Sequence, residues 1–188
     1  MRVIAGTFRS RQLKSLKGLA LRPTSDRLRE TLFNVLGERV SGARFLDLFA
    51  GTGAVGIEAL SRGAREVVFV ENHAPAAALI RKNLESLGLT SSARVLPVDA
   101  MRGMQELAAG RATESFEIVF LDPPYAAAGE YARVLTFLGD APFLRDGSLV
   151  IAEHRKSFAL PEKVSRLECV RVLRQGDAAL SFYRCESK

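Results

Sequence analysis

From residue 43 onward the chain alternates between short runs of β-branched and aromatic residues and longer segments of Ala, Leu, Arg and Glu, the pattern of repeated βαβ units. The short runs predict strands at 44–49 (RFLDLF), 66–71 (EVVFVE), 93–98 (ARVLPV), 116–122 (FEIVFLD) and 148–154 (SLVIAEH). Helices are predicted at 54–63, 74–88, 101–109 and 129–138, long enough to cross between parallel strands. FEIVFLD is almost continuously apolar, which suits a central strand covered on both faces. Two further strand-like runs, 165–173 and 178–185, surround the turn signal Gly176-Asp177 and predict an antiparallel hairpin at a sheet edge. Ahead of this body lie two β-like pieces, RVIAGTF and RQLKSL, separated by RSR, and then RPTSDRLRETLFNVL. Pro23, Thr24, Ser25 and Asp26 read as a helix start, after which Leu28, Leu32, Phe33 and Leu36 recur at helical spacing. A helix there buries that stripe and leaves Arg27 and Arg29 pointing toward a ligand or toward solvent.

Composition narrows the class. A chain of 188 residues, 47% apolar and 26% charged, has the size and core content of one soluble globular domain rather than a disordered segment. No apolar run approaches the roughly 20 residues of a bilayer-spanning helix, so no membrane association is expected. The leading MRVIAGTFRSRQLKSL is broken by charges every few residues, unlike a secretory signal, and a cytoplasmic protein is expected. Cys169 and Cys185 have neither C-x-x-C spacing nor paired histidines, so reduced thiols packed in or near a core are expected, with no disulfide and no metal site.

Charge is distributed unevenly. Residues 1–30 hold eight basic side chains (Arg2, Arg9, Arg11, Lys14, Lys17, Arg22, Arg27, Arg29) and two acidic ones (Asp26, Glu30), a surplus equal to the net charge of +6 for the whole chain. The remaining residues are therefore neutral overall. A basic arm on a neutral body suits a polyanion-binding enzyme, because neutralising phosphates releases counterions and steers docking. A solvated, solubilising face is the plainer alternative.

The first predicted strand runs into DLFAGTGAVGIEAL, with Gly51-x-Gly53-x-x-Gly56 opening a helix. Glycines there permit a tight turn, bring backbone N–H groups close to a ligand and let the helix pack on the strand, which points to a nucleotide-like cofactor. Glu71 closes the second strand, where its carboxylate can accept bonds from ribose hydroxyls, as NAD and S-adenosyl-L-methionine would both require. Asp47, inside the first strand, is costly to bury unless it is hydrogen-bonded or faces a ligand. A cationic sulfonium and ammonium ligand tolerates it, whereas a pyrophosphate is repelled. Asp99 follows the third strand and either contacts an adenine amino group or caps the next helix.

The fourth strand leads directly into DPPY, Asp122 to Tyr125. Two prolines fix the backbone and remove two donors, leaving carbonyl oxygens and a carboxylate as a rigid set of acceptors. Such a set suits an NH₂ group. The exocyclic nitrogen of guanine or adenine is a poor nucleophile, and acceptors at Asp122 and the Pro123 carbonyl would orient it, with Tyr125 stacking on the base. A merely rigid strand-to-helix turn would use the same residues. His154 ends the fifth strand, where it either lines the base pocket or is a satisfied strand-end histidine.

Together FLDLFAGTGAVGIEAL, VENHA, VDA and LDPPY resemble the class I S-adenosylmethionine-dependent methyltransferases of exocyclic amino groups. RVIAGTFRSRQL and RPTSDRLRETLFNVL are more specific and resemble the RsmD family of bacterial 16S ribosomal RNA guanine-N2 methyltransferases, over essentially the whole chain. The resemblance implies S-adenosyl-L-methionine as cofactor, N2 of guanine 966 as acceptor, and 16S rRNA within the 30S subunit or a late assembly intermediate as partner. It implies that Asp47, Gly51 and Gly53 line the methionine part of the cofactor, Glu71 the ribose and Asp99 the adenine, with Phe49, Asn72 and Ala100 beside them. Asp122, Pro123, Pro124 and Tyr125 form the expected catalytic corner, and Arg2, Arg9, Arg11, Lys14, Arg22 and Arg27 the expected RNA contacts. The fold expected is α/β, a Rossmann-like, doubly wound, seven-stranded, mostly parallel sheet with a C-terminal antiparallel hairpin. Residues 1–40 are expected to form a basic hairpin-and-helix extension and 41–188 the methyltransferase domain, acting as a monomer. DPPY also resembles DNA adenine-N6 and glutamine methyltransferases, although 188 residues leave no room for a separate DNA target-recognition region. A nicotinamide-dependent oxidoreductase would leave DPPY unexplained, and a non-enzymatic assembly factor would have no use for Asp47, Glu71 and Asp122.

Overall fold

Local sequence signals set the helix boundaries in the computed structural model, which describes residues 1–15, 24–110, 115–124 and 128–187. The chain divides into two compact units, Met1–Asp99 and Ala100–Lys188.

In the first unit, helix α1 (Asp26–Leu36) starts where the Ser25 side chain accepts the Leu28 N–H at 3.2 Å and ends at Gly37. It buries Leu28, Leu32, Phe33 and Leu36, the stripe read from the sequence, each apolar side chain contributing about 1.5–3 kcal/mol. Strands β1 (Arg44–Leu48), β2 (Glu66–Val70) and β3 (Ala93–Leu96) pair in parallel in the order β3-β2-β1. Helices α2 (Ala54–Ser61) and α3 (Ala74–Leu87) make the crossovers. Pro75 in its first turn starts α3, and Gly88 in left-handed backbone ends it. All eight residues of α2 are buried, Glu58 among them.

The leading segment is a narrower structure than a β-hairpin. Arg2 and Gln12 form its antiparallel bridge, and the Ser10 and Val3 amides bond to Val3 O and Arg11 O. The Ile4 and Ala5 amides that a longer ladder would use are taken by the Glu58 carboxylate instead.

The second unit contains α4 (Ala100–Ala109), β4 (Phe116–Leu121), α5 (Ala128–Asp140), β5 (Leu144–Arg155), β6 (Lys163–Val164), β7 (Leu167–Gln175) and β8 (Ala178–Cys185), its strands ordered β4-β5-β8-β7-β6. The β4–β5 pair is parallel, and β7 and β8 form the predicted antiparallel hairpin around Gly176, with β8 also antiparallel to β5. Among the described residues, the seven strands of four or more residues match the expected number, and β6 adds a two-residue strip. The Phe116 and Phe143 rings meet edge to face, the Ser148 hydroxyl donates to Phe116 O, and the Tyr131 hydroxyl donates to Glu153 O, each at 2.8 Å. No described helix is long and apolar enough to cross a membrane.

Candidate active site

The glycine loop between β1 and α2 is built from backbone that side chains rarely adopt. Phe49, Gly51 and Gly53 have φ of 62°, 55° and 77°. At Phe49 the left-handed conformation costs about 1–3 kcal/mol, a strain that tends to persist where a loop serves a ligand. A Cβ on Gly53 would lie 2.9 Å from Ile80 Cγ1, and one on Gly56 would lie 2.3 Å from the Phe69 ring, so α2 is seated closely on α3 and β2. One on Gly51 would meet Phe49 O at 3.9 Å and no nearer atom, which leaves room in front of the loop. The start of α2 adds N–H groups and the positive end of a helix dipole.

Two buried carboxylates grip this loop. Asp47, 1% exposed, accepts the Gly56 N–H on Oδ2 at 2.9 Å. Burial pushes its carboxyl up to about 7, the Gly56 N–H opposes that rise, and the nearby charge of Glu71 adds to it. Glu71, directly after β2, accepts the Gly51 N–H on Oε2 at 2.6 Å and the His73 N–H on Oε1 at 2.7 Å. Each Glu71 oxygen retains lone-pair capacity for a hydroxyl donor. Asp47 thus bonds the first turn of α2 and Glu71 the glycine loop, which carries Phe49, Gly51 and Gly53. Asn72 is exposed beside Glu71, Asp99 is exposed directly before α4, and Ala100 is the buried first residue of α4.

These residues fit S-adenosyl-L-methionine. Burial pushes the Asp47 carboxyl up to about 7, and a cationic group in front of the glycine turn would favour its ionised form; Glu71 offers acceptors to a diol. A pyrophosphate would bring negative charge against both carboxylates.

In the second unit β4 ends at Leu121, and Asp122 is half-buried, Pro123 buried and Pro124 exposed. The prolines contribute no N–H, so this corner offers oxygen acceptors, as read from the sequence. Tyr125 lies outside the described residues, as does Arg22 of the arm.

The side chains of Arg2, Arg9, Arg11, Lys14 and Arg27 are exposed. Arg29 corrects the expectation that it faces a ligand or solvent. It is 0% exposed, donates from Nη2 to Arg2 O at 2.7 Å and to Asp26 Oδ1 at 3.0 Å, and places Nε 3.9 Å from Glu58 Oε2. Burial draws its guanidinium below the ordinary arginine value, with Glu58 opposing. His154 is a satisfied strand-end histidine, its Nδ1 2.9 Å from Arg155 O and its Nε2 2.8 Å from the Ser181 hydroxyl.

Sequence reasoning passed over Glu58, Ser61 and Asn83, which fasten the arm to α2 and α3. A lone acid inside AVGIEALS, apolar on every face, was the available signal for Glu58.

Residues 1–184 match the family described as Conserved hypothetical protein 95. The ribosomal RNA small subunit methyltransferase D of Escherichia coli (strain K12) is 35% identical over 188 residues, which is 100% of this chain and 91% of that protein. The solved structure of yhhF from Escherichia coli gives a TM-score of 0.85 at 35% identity, covering 100% of this chain and 99% of that one. At the level of fold alone, an RNA methyltransferase of Salinibacter ruber, solved in complex with S-adenosyl-L-homocysteine, gives a TM-score of 0.64 at 15% identity, covering 88% of this chain and 95% of that one.

Proposed function

Because this chain belongs to the RsmD family, whose model covers residues 1–184, we propose that it transfers a methyl group from S-adenosyl-L-methionine to N2 of a guanine in the RNA of the small ribosomal subunit, position 966 by family resemblance. The observation that carries the cofactor reading is the pair of buried acids at the glycine loop, Asp47 on Gly56 and Glu71 on Gly51. When bound, S-adenosyl-L-methionine supplies a methyl carbon made electrophilic by its sulfonium. Asp47 and the loop hold the methionine part with its ammonium group, Glu71 the ribose and Asp99 the adenine, with Phe49, Asn72 and Ala100 alongside.

The acceptor side falls to Asp122, Pro123, Pro124 and Tyr125. Asp122 and the Pro123 carbonyl accept the two N–H bonds of the guanine amine, which fixes its nitrogen and frees the lone pair from the ring; Tyr125 stacks on the base. Asp122 then takes the proton that the alkylated nitrogen sheds. Catalysis is mainly positioning and electrostatics. Residues 1–40 serve as the RNA-contacting extension through Arg2, Arg9, Arg11, Lys14, Arg22 and Arg27, and 41–188 as the catalytic body. The substrate is the 30S subunit or a late assembly intermediate, met in the cytoplasm by a monomer.

The test is transfer of tritiated methyl to unmodified small subunits, followed by identification of the labelled nucleoside. N2-methylguanosine is the expected product; label in N6-methyladenosine, or in protein, would replace this reading with another amino-group methylation.

A further inference from the structure

The basic arm is fastened to the cofactor cradle through its backbone while its charges face away. Glu58 Oε2 accepts the Ile4 N–H at 2.8 Å, and Oε1 accepts the Ala5 N–H at 3.0 Å and Arg62 Nε at 2.8 Å. One turn further along, the Phe8 N–H donates to Ser61 Oγ at 3.0 Å, Ser61 Oγ donates to Ala5 O at 2.6 Å, and the Thr7 N–H donates to Ser61 O at 2.8 Å. On α3, Asn83 accepts the Lys14 N–H at 2.9 Å and donates to Lys14 O at 3.2 Å. The Thr52 hydroxyl, inside the glycine loop, points at Met1 Sδ at 3.6 Å. The docked segment thus carries Arg2, Arg9, Arg11 and Lys14 exposed on its outer side while its inner side is bonded to the loop and to the two helices that support it.

We propose that this arm couples the two ligands: RNA on its basic side and cofactor in the glycine loop bind with positive cooperativity, and Glu58 is the positioning residue that transmits it. The proposal rests on the reading of the arm as the RNA contact. α2 is shared by both sites. Its first turn is held by Asp47 through Gly56, and Glu58, two residues on, holds the arm. A polyanion that grips the arm in this docked arrangement therefore favours the position of α2 and of the loop at its head that the cofactor also uses, so the first ligand bound biases the chain toward the second. Because linkage is reciprocal, cofactor must tighten RNA binding by the same factor.

Anisotropy of the dye-labelled chain on the RNA of unmodified small subunits, titrated with and without saturating S-adenosyl-L-homocysteine, reads the coupling without catalysis. The wild-type chain is expected to bind this RNA about tenfold more tightly with the thioether present, within the range common for coupled sites. Glu58→Gln places an amide NH₂ against backbone donors, and the ratio should fall to about one while each ligand still binds alone; Glu58→Asp should restore part of it. Should Glu58→Gln fail to fold, Asn83→Ala, which removes only the Lys14 clasp, is expected to halve the ratio or more. A wild-type ratio of one with both ligands bound overturns the coupling and leaves the RNA-arm reading standing. An unaltered ratio in both Glu58→Gln and Asn83→Ala overturns the role of the docked arm. Absence of any RNA binding by the wild-type chain, with the thioether bound normally, overturns the reading of the arm and the coupling with it.

Discussion

Asp47 and His154 are both buried, and burial moves their proton affinities in opposite senses. Asp47 is pushed up to about 7 and His154 is drawn below 6.5. The sulfonium and ammonium of S-adenosyl-L-methionine beside Asp47 favour its ionised form, so affinity for S-adenosyl-L-methionine should rise about tenfold between pH 6 and pH 8, with proton release visible by calorimetry in buffers of different ionisation enthalpy. Asp47→Asn should lose that slope. For His154 the unfolded chain binds the proton more tightly than the folded one. Its contribution to stability is therefore full above about pH 6.5 and is lost as pH falls through the lowered folded value. In His154→Gln the decline of the melting temperature between pH 6.5 and pH 5 should be shallower than in the wild type. Residues such as Asp47 and Glu71 were legible in the sequence because a carboxylate in or just after an apolar strand needs a reason. Arg29 was misread because the first turn of α1 shows no local difference between an arginine facing water and one turned onto Arg2 O and Glu58. Two of its partners, Arg2 and Glu58, come from distant parts of the chain, and only Asp26 is local.

Elements were easier to read than their partners. Alternation located β1, β2, β3 and β4 to within two residues; β1, β2 and β4 are buried on both faces and leave an apolar run in the sequence, while β3, with only Leu96 buried, is marked by its flanking helices. β5 begins at Leu144, ahead of the predicted start, because Arg145, Asp146 and Gly147 interrupt its apolar pattern while its backbone continues. The arm's β-like pieces formed one bridge, because side chains of α2 and α3 claimed the amides that a ladder would use. No periodicity within residues 1–15 could announce that. At this scale the seat of α2 is the sensitive point. Gly56→Ala drives a methyl group against the Phe69 ring and should destabilise the chain by about 1–3 kcal/mol in chemical denaturation, with weaker binding of S-adenosyl-L-homocysteine. Leu32→Ala, in the fully buried stripe of α1, should cost about 2–5 kcal/mol in the same denaturation and leave cofactor affinity unchanged in the folded fraction.

Across the whole molecule, charge and chemistry divide the labour. The surplus of positive charge in residues 1–30 is the sequence feature that separates this chain from a small-molecule enzyme with the same glycine loop. Replacing Arg9, Arg11 and Lys14 together with Ala should weaken binding to unmodified small subunits and flatten the dependence of log affinity on log salt, by at most about one unit for each phosphate left unneutralised. An unchanged slope would make the arm a solvated face. In the proposed function the cradle of Asp47, Glu71 and the glycines binds the methyl donor while the Asp122 corner orients the accepting amine. Wild type and Asp122→Ala, compared for both S-adenosyl-L-homocysteine affinity and methyl transfer to unmodified small subunits, test it most directly. Affinity should stay within about twofold while transfer falls at least about 10²–10³-fold, the scale of removing one hydrogen bond that acts in the transition state. Equal losses in binding and transfer would contradict the account.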